Sequence, residues 1–211
     1  MPDVYVMQGG DVAQMAYDAI SRVFTEEAAG LRILLKVNTG FKGPAASGLC
    51  THPEVVRGLI RFFKERQGGE LLVGDSSIVG VNSLEALRSA GIYQVCEEEG
   101  VACVDLDESG MEEREIPGGV MVQRLKMSRL PFQVDLLISV PVIKTHMYAG
   151  VTLSIKNMKG CLYQKDKTRL HRINQAPPDI HKGKCLDYGI MELARVCYPD
   201  YVVTDGVVCM E

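Results

Sequence analysis

Between residues 141 and 160 the chain places Lys144, Thr145, His146, Tyr148, Thr152, Ser154, Lys156, Asn157 and Lys159 within one short stretch, directly after an apolar run. Polar density of this kind is expected at a surface loop or at a site carried by a rigid scaffold. A lysine held partly out of water is easier to deprotonate and can serve as nucleophile or base, and a histidine beside it can exchange protons near neutral pH. His146 and Lys156 are therefore the candidates for chemistry, and Lys144, Asn157 and Lys159 the candidates for holding an anion. His171, within Arg169-Leu170-His171-Arg172, and His181 are candidate metal ligands, because imidazole is a common donor to borderline metals. The ordinary alternative is a solvated basic loop in which each of these residues only satisfies its neighbours.

Other polar residues fall at strand ends. In open parallel sheets, ligands bind beyond the carboxyl ends of the strands. Here those positions are Asn38, the run Asp75-Ser76-Ser77, the Lys144/His146 segment and Asp205. Thr51 and His52 stand at a helix start, where free amides and the helix dipole favour phosphate or carboxylate. Any one of these taken alone reads as a turn residue; sharing one edge makes them a candidate binding site.

The elements that must position them follow from periodicity and capping. Val4 to Met7 predicts a short strand, and Asp11 predicts the cap of a helix running towards Gly30. Residues 32–37 predict a strand, followed by a long loop from Thr39 to Cys50. Thr51-His52-Pro53-Glu54 predicts a capping box in which the Thr51 hydroxyl takes the Glu54 amide, and Asn82-Ser83-Leu84-Glu85 predicts a second. Strands are expected over 70–74, 101–106, 134–140 and 201–206, with a helix broken at Gly91, an antiparallel ribbon around Glu115 to Leu125, and a helix over Leu186 to Cys197. The strands are mostly apolar rather than alternating, as when helices cover both faces. The expected fold is a doubly wound, mostly parallel α/β sheet with an antiparallel ribbon insertion, as one domain over residues 1–211 that lacks its C-terminal part.

Composition narrows the function classes. The 211 residues carry a net charge of −4 with 46% hydrophobic residues, so no global basic field draws nucleic acid. There is neither a signal-type start nor an apolar run long enough to span a membrane, which predicts a cytoplasmic protein without membrane partners. Positive charge is local, from Lys144 to Lys184. The seven cysteines contain no C-x-x-C pair, so no iron–sulfur cluster is encoded in this chain. Cys50 and Cys161, beside the polar segments, are candidate reactive thiols.

Lys36-Val37-Asn38, Thr51-His52-Pro53-Glu54-Val55-Val56, Gly74-Asp75-Ser76, Lys144-Thr145-His146, Ser154 through Gly160 and Thr204-Asp205-Gly206, in that order, resemble the prokaryotic domain of unknown function 362 family over almost the whole chain. Members of that family are often described as iron–sulfur proteins, which implies a ferredoxin-like domain or partner. A more distant similarity links His146 through Thr152, Lys156 and His171 to nickel-dependent lactate racemases, with Ser154-Ile155 standing where those enzymes have paired glycines. That resemblance implies acid/base catalysis at His146, a nickel-pincer nucleotide tethered to Lys156, and nickel ligation by His171. Two readings follow: an enzyme of proton or hydride transfer that binds an anionic small molecule or nucleotide-type cofactor with or without a metal, and a non-catalytic electron-transfer accessory module of an iron–sulfur protein.

Overall fold

The computed structural model describes residues 3–171 and 185–211, so His181 lies outside the described residues. In chain order the strands are β1 (Ile33–Lys36), β2 (Leu71–Asp75), β3 (Ala102–Asp105), β4 (Met111–Glu115), β5 (Arg124–Ser128), β6 (Leu136–Ser139), β7 (Val142–His146), β8 (Gly150–Thr152), β9 (Tyr201–Val202) and β10 (Asp205–Met210). The helices are α1 (Val12–Val23), α2 (Pro53–Glu65), α3 (Ser83–Ser89), α4 (Ile92–Glu99), α5 (Ser154–Asn157), α6 (Asp166–Arg169) and α7 (Cys185–Ala194).

Five strands form a parallel sheet in the order β3-β2-β1-β6-β9. From β1 the chain winds outward through β2 to β3, then returns to the other side of β1 with β6 and β9. The winding therefore reverses between β1 and β6, where such folds open a crevice at the carboxyl ends of the strands. Ile33 and Leu35 face a core shared with Ile20, Phe24, Val56, Leu59 and Phe63 from α1 and α2. Leu34 faces a second core with Leu72, Leu125, Met127, Leu137 and Leu193, under the β4–β5 ribbon and α7. Alternate side chains of one strand thus serve two layers, which is why the run reads as continuously apolar.

The doubly wound sheet and the antiparallel β4–β5 ribbon match the sequence expectation. Several local expectations are corrected. Residues 4–7 form no strand and are mostly exposed, because no neighbouring edge pairs with them. The first helix stops at Val23, seven residues before Gly30. Thr51 does not cap α2: the cap is His52, whose Nδ1 accepts the Glu54 amide at 3.2 Å, while Asn82 caps α3 as expected. Residues 142–146, expected to be a loop, form β7, the centre of a second small sheet in the order β10-β7-β8. Val142 and Lys144 point inward while Ile143 and Thr145 are exposed, the alternation of a half-covered strand that polar side chains disguise in the sequence.

Candidate functional site

At the crevice between β1 and β6 lies a fully closed polar hub. Lys36, the last residue of β1, is 1% exposed, and its Nζ meets Asp75 Oδ1 at 2.5 Å, the Val37 carbonyl at 2.9 Å and Asn157 Oδ1 at 3.0 Å. Three acceptors match the three N–H donors of an ammonium, so this buried charge is fully satisfied. The other Asp75 oxygen accepts the Thr39 amide at 2.6 Å, and Oδ1 also accepts the Ser76 amide at 2.8 Å. Asn157 closes the crevice by donating from Nδ2 to the Lys36 carbonyl and to Ser139 Oγ, both at 3.1 Å. Gly160 passes directly over the pair, and a Cβ there would collide with Asp75 Oδ1 and Lys36 Nζ. The segment from Asn157 to Gly160 is thereby locked onto the sheet.

The same bonds fix two amide orientations. Asn157 must present Oδ1 to Lys36, and Asn38 Nδ2 donates to that oxygen at 3.1 Å. Asn38 Oδ1 is then left buried with no hydrogen-bond partner among the described residues.

Beside this hub stands a group of cations. Lys144 on β7, 9% exposed, donates to the Leu49 carbonyl at 2.7 Å. Lys156 on α5 donates to Thr152 Oγ1 at 3.0 Å, and Lys159 Nζ lies 2.5 Å from His171 Nε2. Among the described residues none of these three ammoniums has a carboxylate within ion-pair distance. Loss of water around Lys156, reinforced by the charges of Lys159 and Lys144, brings its pKa down to about 8. Desolvation alone brings Lys159 to about 8 and is the largest cause of the lowered Lys144 value.

The imidazoles share this field. Desolvation, then Lys156, Lys159 and Lys144, lowers His146 to about 4, and desolvation followed by Lys159 lowers His171 to about 4. His146 Nδ1 accepts the amides of Tyr148 and Ala149, each at 3.2 Å. A neutral ring with Nδ1 accepting carries its proton on Nε2, so in this arrangement His146 offers a donor. His146, Tyr148 and His171 gather with ring centroids 5.9 to 6.3 Å apart.

Of the residues singled out in the sequence, Lys144, His146, Lys156, Lys159 and His171 come together, and Asn38, Asp75 and Asn157 adjoin them through the hub. The others hold the scaffold. Thr51 accepts the Asn38 amide at 2.9 Å and donates to the Val140 carbonyl at 2.7 Å, stitching β1 to the end of β6. Asp205 accepts the amides of His52 at 2.7 Å and Val207 at 2.9 Å, tying the start of α2 to β10. Ser76 Oγ accepts from Lys167, which also pairs with Asp107 at 2.7 Å. Burial pushes the Cys50 thiol up to about 11 and Cys161 is wholly buried, which argues against either as a ready nucleophile. Sequence reasoning did not single out Lys36 or Gly160 individually as site residues, although both stand in the motifs that carry the family resemblance; a further signal for Lys36 was a lysine ending the apolar run Ile33-Leu34-Leu35.

A family model described as a domain of unknown function (DUF362) matches residues 33–211. A thylakoid-associated protein of Synechocystis is 26% identical over 183 residues, which is 86% of this chain and 53% of that protein. Among solved structures, the lactate racemase apoprotein from Thermoanaerobacterium thermosaccharolyticum is similar in fold, with TM-score 0.58 and 14% identity, covering 93% of this chain and 49% of that one. A structural-genomics crystal structure from Thermotoga maritima gives TM-score 0.52 and 14% identity over 94% of this chain and 52% of that one. The chain spans about half the length of these relatives. Among the described residues no helix is long and apolar enough to cross a membrane.

Proposed function

We propose that this chain, which belongs to the family of the domain of unknown function DUF362, binds a small molecule bearing a phosphate or carboxylate among Lys144, Lys156 and Lys159, and moves a proton or hydride on it. The observation that carries this reading is the set of three desolvated ammoniums that lack carboxylate partners among the described residues. Leaving such cations unpaired is costly, and an oxyanion offsets that cost in the geometry of the site itself. The fold likeness to the lactate racemase apoprotein supports the reaction class. The Nε2–H of His146 would polarise a ligand oxygen, and Lys156, half neutral near pH 8, would exchange the proton.

The cationic set fits the phosphate of a nucleotide-type cofactor. The described residues do not fit a metal held by protein side chains alone: they contain no group of three His, Cys, Asp or Glu side chains able to hold one, and Lys159 occupies His171 Nε2.

Calorimetric titration with inorganic phosphate tests the reading. Binding is expected to weaken about tenfold or more in Lys159→Met and in Lys144→Met at unchanged fold, the size of losing a charge-assisted hydrogen bond. Unchanged phosphate binding in the double variant would sink it.

A further inference from the structure

The amines at the site are not equivalent. Lys36 Nζ is saturated by three acceptors, Lys144 Nζ is held by the Leu49 carbonyl, and Lys159 Nζ is held by His171. Lys144, Lys156 and Lys159 each meet one partner among the described residues, and that of Lys156 is the hydroxyl of Thr152, a group that can donate to a neutral amine as well as accept from a charged one. Thr152 is the register partner of Lys144 on the small sheet, which fixes the Lys156 amine beside the Lys144 strand.

We infer that Lys156 condenses with the carbonyl group of an oxyanion-bearing aldehyde or 2-oxo acid to form an imine. This rests on the oxyanion reading above, because Lys144 and Lys159 must hold the ligand's carboxylate or phosphate. The Nζ lone pair attacks the carbonyl carbon, forming a C–N bond as the C–O π bond opens. A proton passes from nitrogen to oxygen to give the carbinolamine. The C–O bond then breaks, and water departs with the second nitrogen-bound proton, leaving C=N; no oxidant or reductant is consumed. His146 Nε2–H is the donor available to the carbonyl oxygen, since Nδ1 is engaged by the Tyr148 and Ala149 amides. A desolvated lysine flanked by other cations is the setting in which an amine becomes nucleophilic near neutral pH. The value of about 8 for Lys156 agrees with it.

Glyoxylate with cyanoborohydride tests this, because reduction traps the imine as a carboxymethyl-lysine that peptide mapping locates. At pH 8, Lys156 is expected to be alkylated about tenfold or more faster than the exposed Lys126. Lys156→Arg, which keeps the charge, should lose the fast site, whereas Lys159→Arg should keep it at Lys156. Alkylation of Lys156 no faster than Lys126, or a fast site that persists in Lys156→Arg, overturns the imine. Acetaldehyde, which lacks an acid group, should show a smaller preference for Lys156 over Lys126 than glyoxylate does, because it keeps the advantage of the desolvated amine and loses the oxyanion contacts; an equal preference with both aldehydes overturns the substrate class. If phosphate binds by calorimetry while glyoxylate shows no preference for Lys156, the imine fails and the oxyanion reading stands. If phosphate neither binds nor slows fast labelling, the oxyanion reading fails and takes the proposed substrate class with it.

Discussion

Lys36 and Lys156 are both drawn out of water at the same edge of the molecule, yet their surroundings are opposite. Lys36 sits beneath Gly160 against Asp75 and two further acceptors, so its charge is cancelled inside the protein. Lys156 shares its space with Lys159 and Lys144 and, among the described residues, meets only a hydroxyl. A buried charge that the protein cancels belongs to the scaffold, whereas a group of charges without counter-charges among the described residues is one that a bound anion would stabilise. The two regions are joined by a short segment: Asn157 and Gly160 lock onto the hub, and Lys156 and Lys159 ride on the same turns.

The strongest way to break this contrast is to remove the carboxylate. Asp75→Ala leaves Lys36 charged and buried with one partner gone, and is expected to cost about 3–5 kcal/mol in denaturant unfolding. Replacing both partners with apolar residues, as Lys36→Met with Asp75→Leu, should cost clearly less, because no unpaired charge remains. If the single variant is no worse than the double, Lys36 and Asp75 are not the coupled pair described here. Next in size, Gly160→Ala should cost about 1–3 kcal/mol, since the added methyl must displace the ion pair or lift the segment. That variant should also weaken phosphate binding, whereas a purely local clash would leave binding alone.

How much of this was legible in the sequence depended on whether the signal was local. Apolar runs such as Ile33-Leu34-Leu35 and the caps at Asp11 and Asn82 specify their own elements, and the sheet follows from their order. Strand β7 was not legible, because Lys144, Thr145 and His146 look like a loop when the sheet they enter is formed by partners remote in the sequence. The cap of α2 was misread for a similar reason. The Thr51 hydroxyl is engaged by Asn38 and Val140, contacts from two other segments, leaving His52 to cap the helix. For the site, residue types singled out Lys144, His146, Lys156, Lys159 and His171, which the fold brings together. They could not reveal that Lys36 pairs with Asp75, nor which nitrogen of His146 is engaged, since both follow from tertiary contacts.

A smaller effect sharpens the uncancelled side. Lys159→Met should leave stability unchanged or raise it, because the variant removes a desolvated charge rather than a pair. Comparing its melting curve with that of Asp75→Ala places the two kinds of lysine on one scale. A loss in Lys159→Met as large as that of the carboxylate variant would mean that the cluster, too, is part of the scaffold.

The last effect is on pH, and its sign follows from the lysines. Lys156 and Lys159 are lowered from 10.5 to about 8, so the folded protein disfavours their charged forms. The stability they contribute is complete above pH 10.5 and is lost as the pH falls through about 8. The difference in unfolding free energy between the natural chain and Lys156→Met/Lys159→Met should therefore shift in favour of the natural chain as the pH rises across that window. Phosphate should flatten the shift, because a bound oxyanion favours the charged amines that the empty site penalises. Phosphate affinity itself should run the other way, weakening above pH 8 as the lysines lose their charge while phosphate is already a dianion. Titrations at several pH values read both trends, and a phosphate affinity that stays level past pH 8 would detach oxyanion binding from these two lysines.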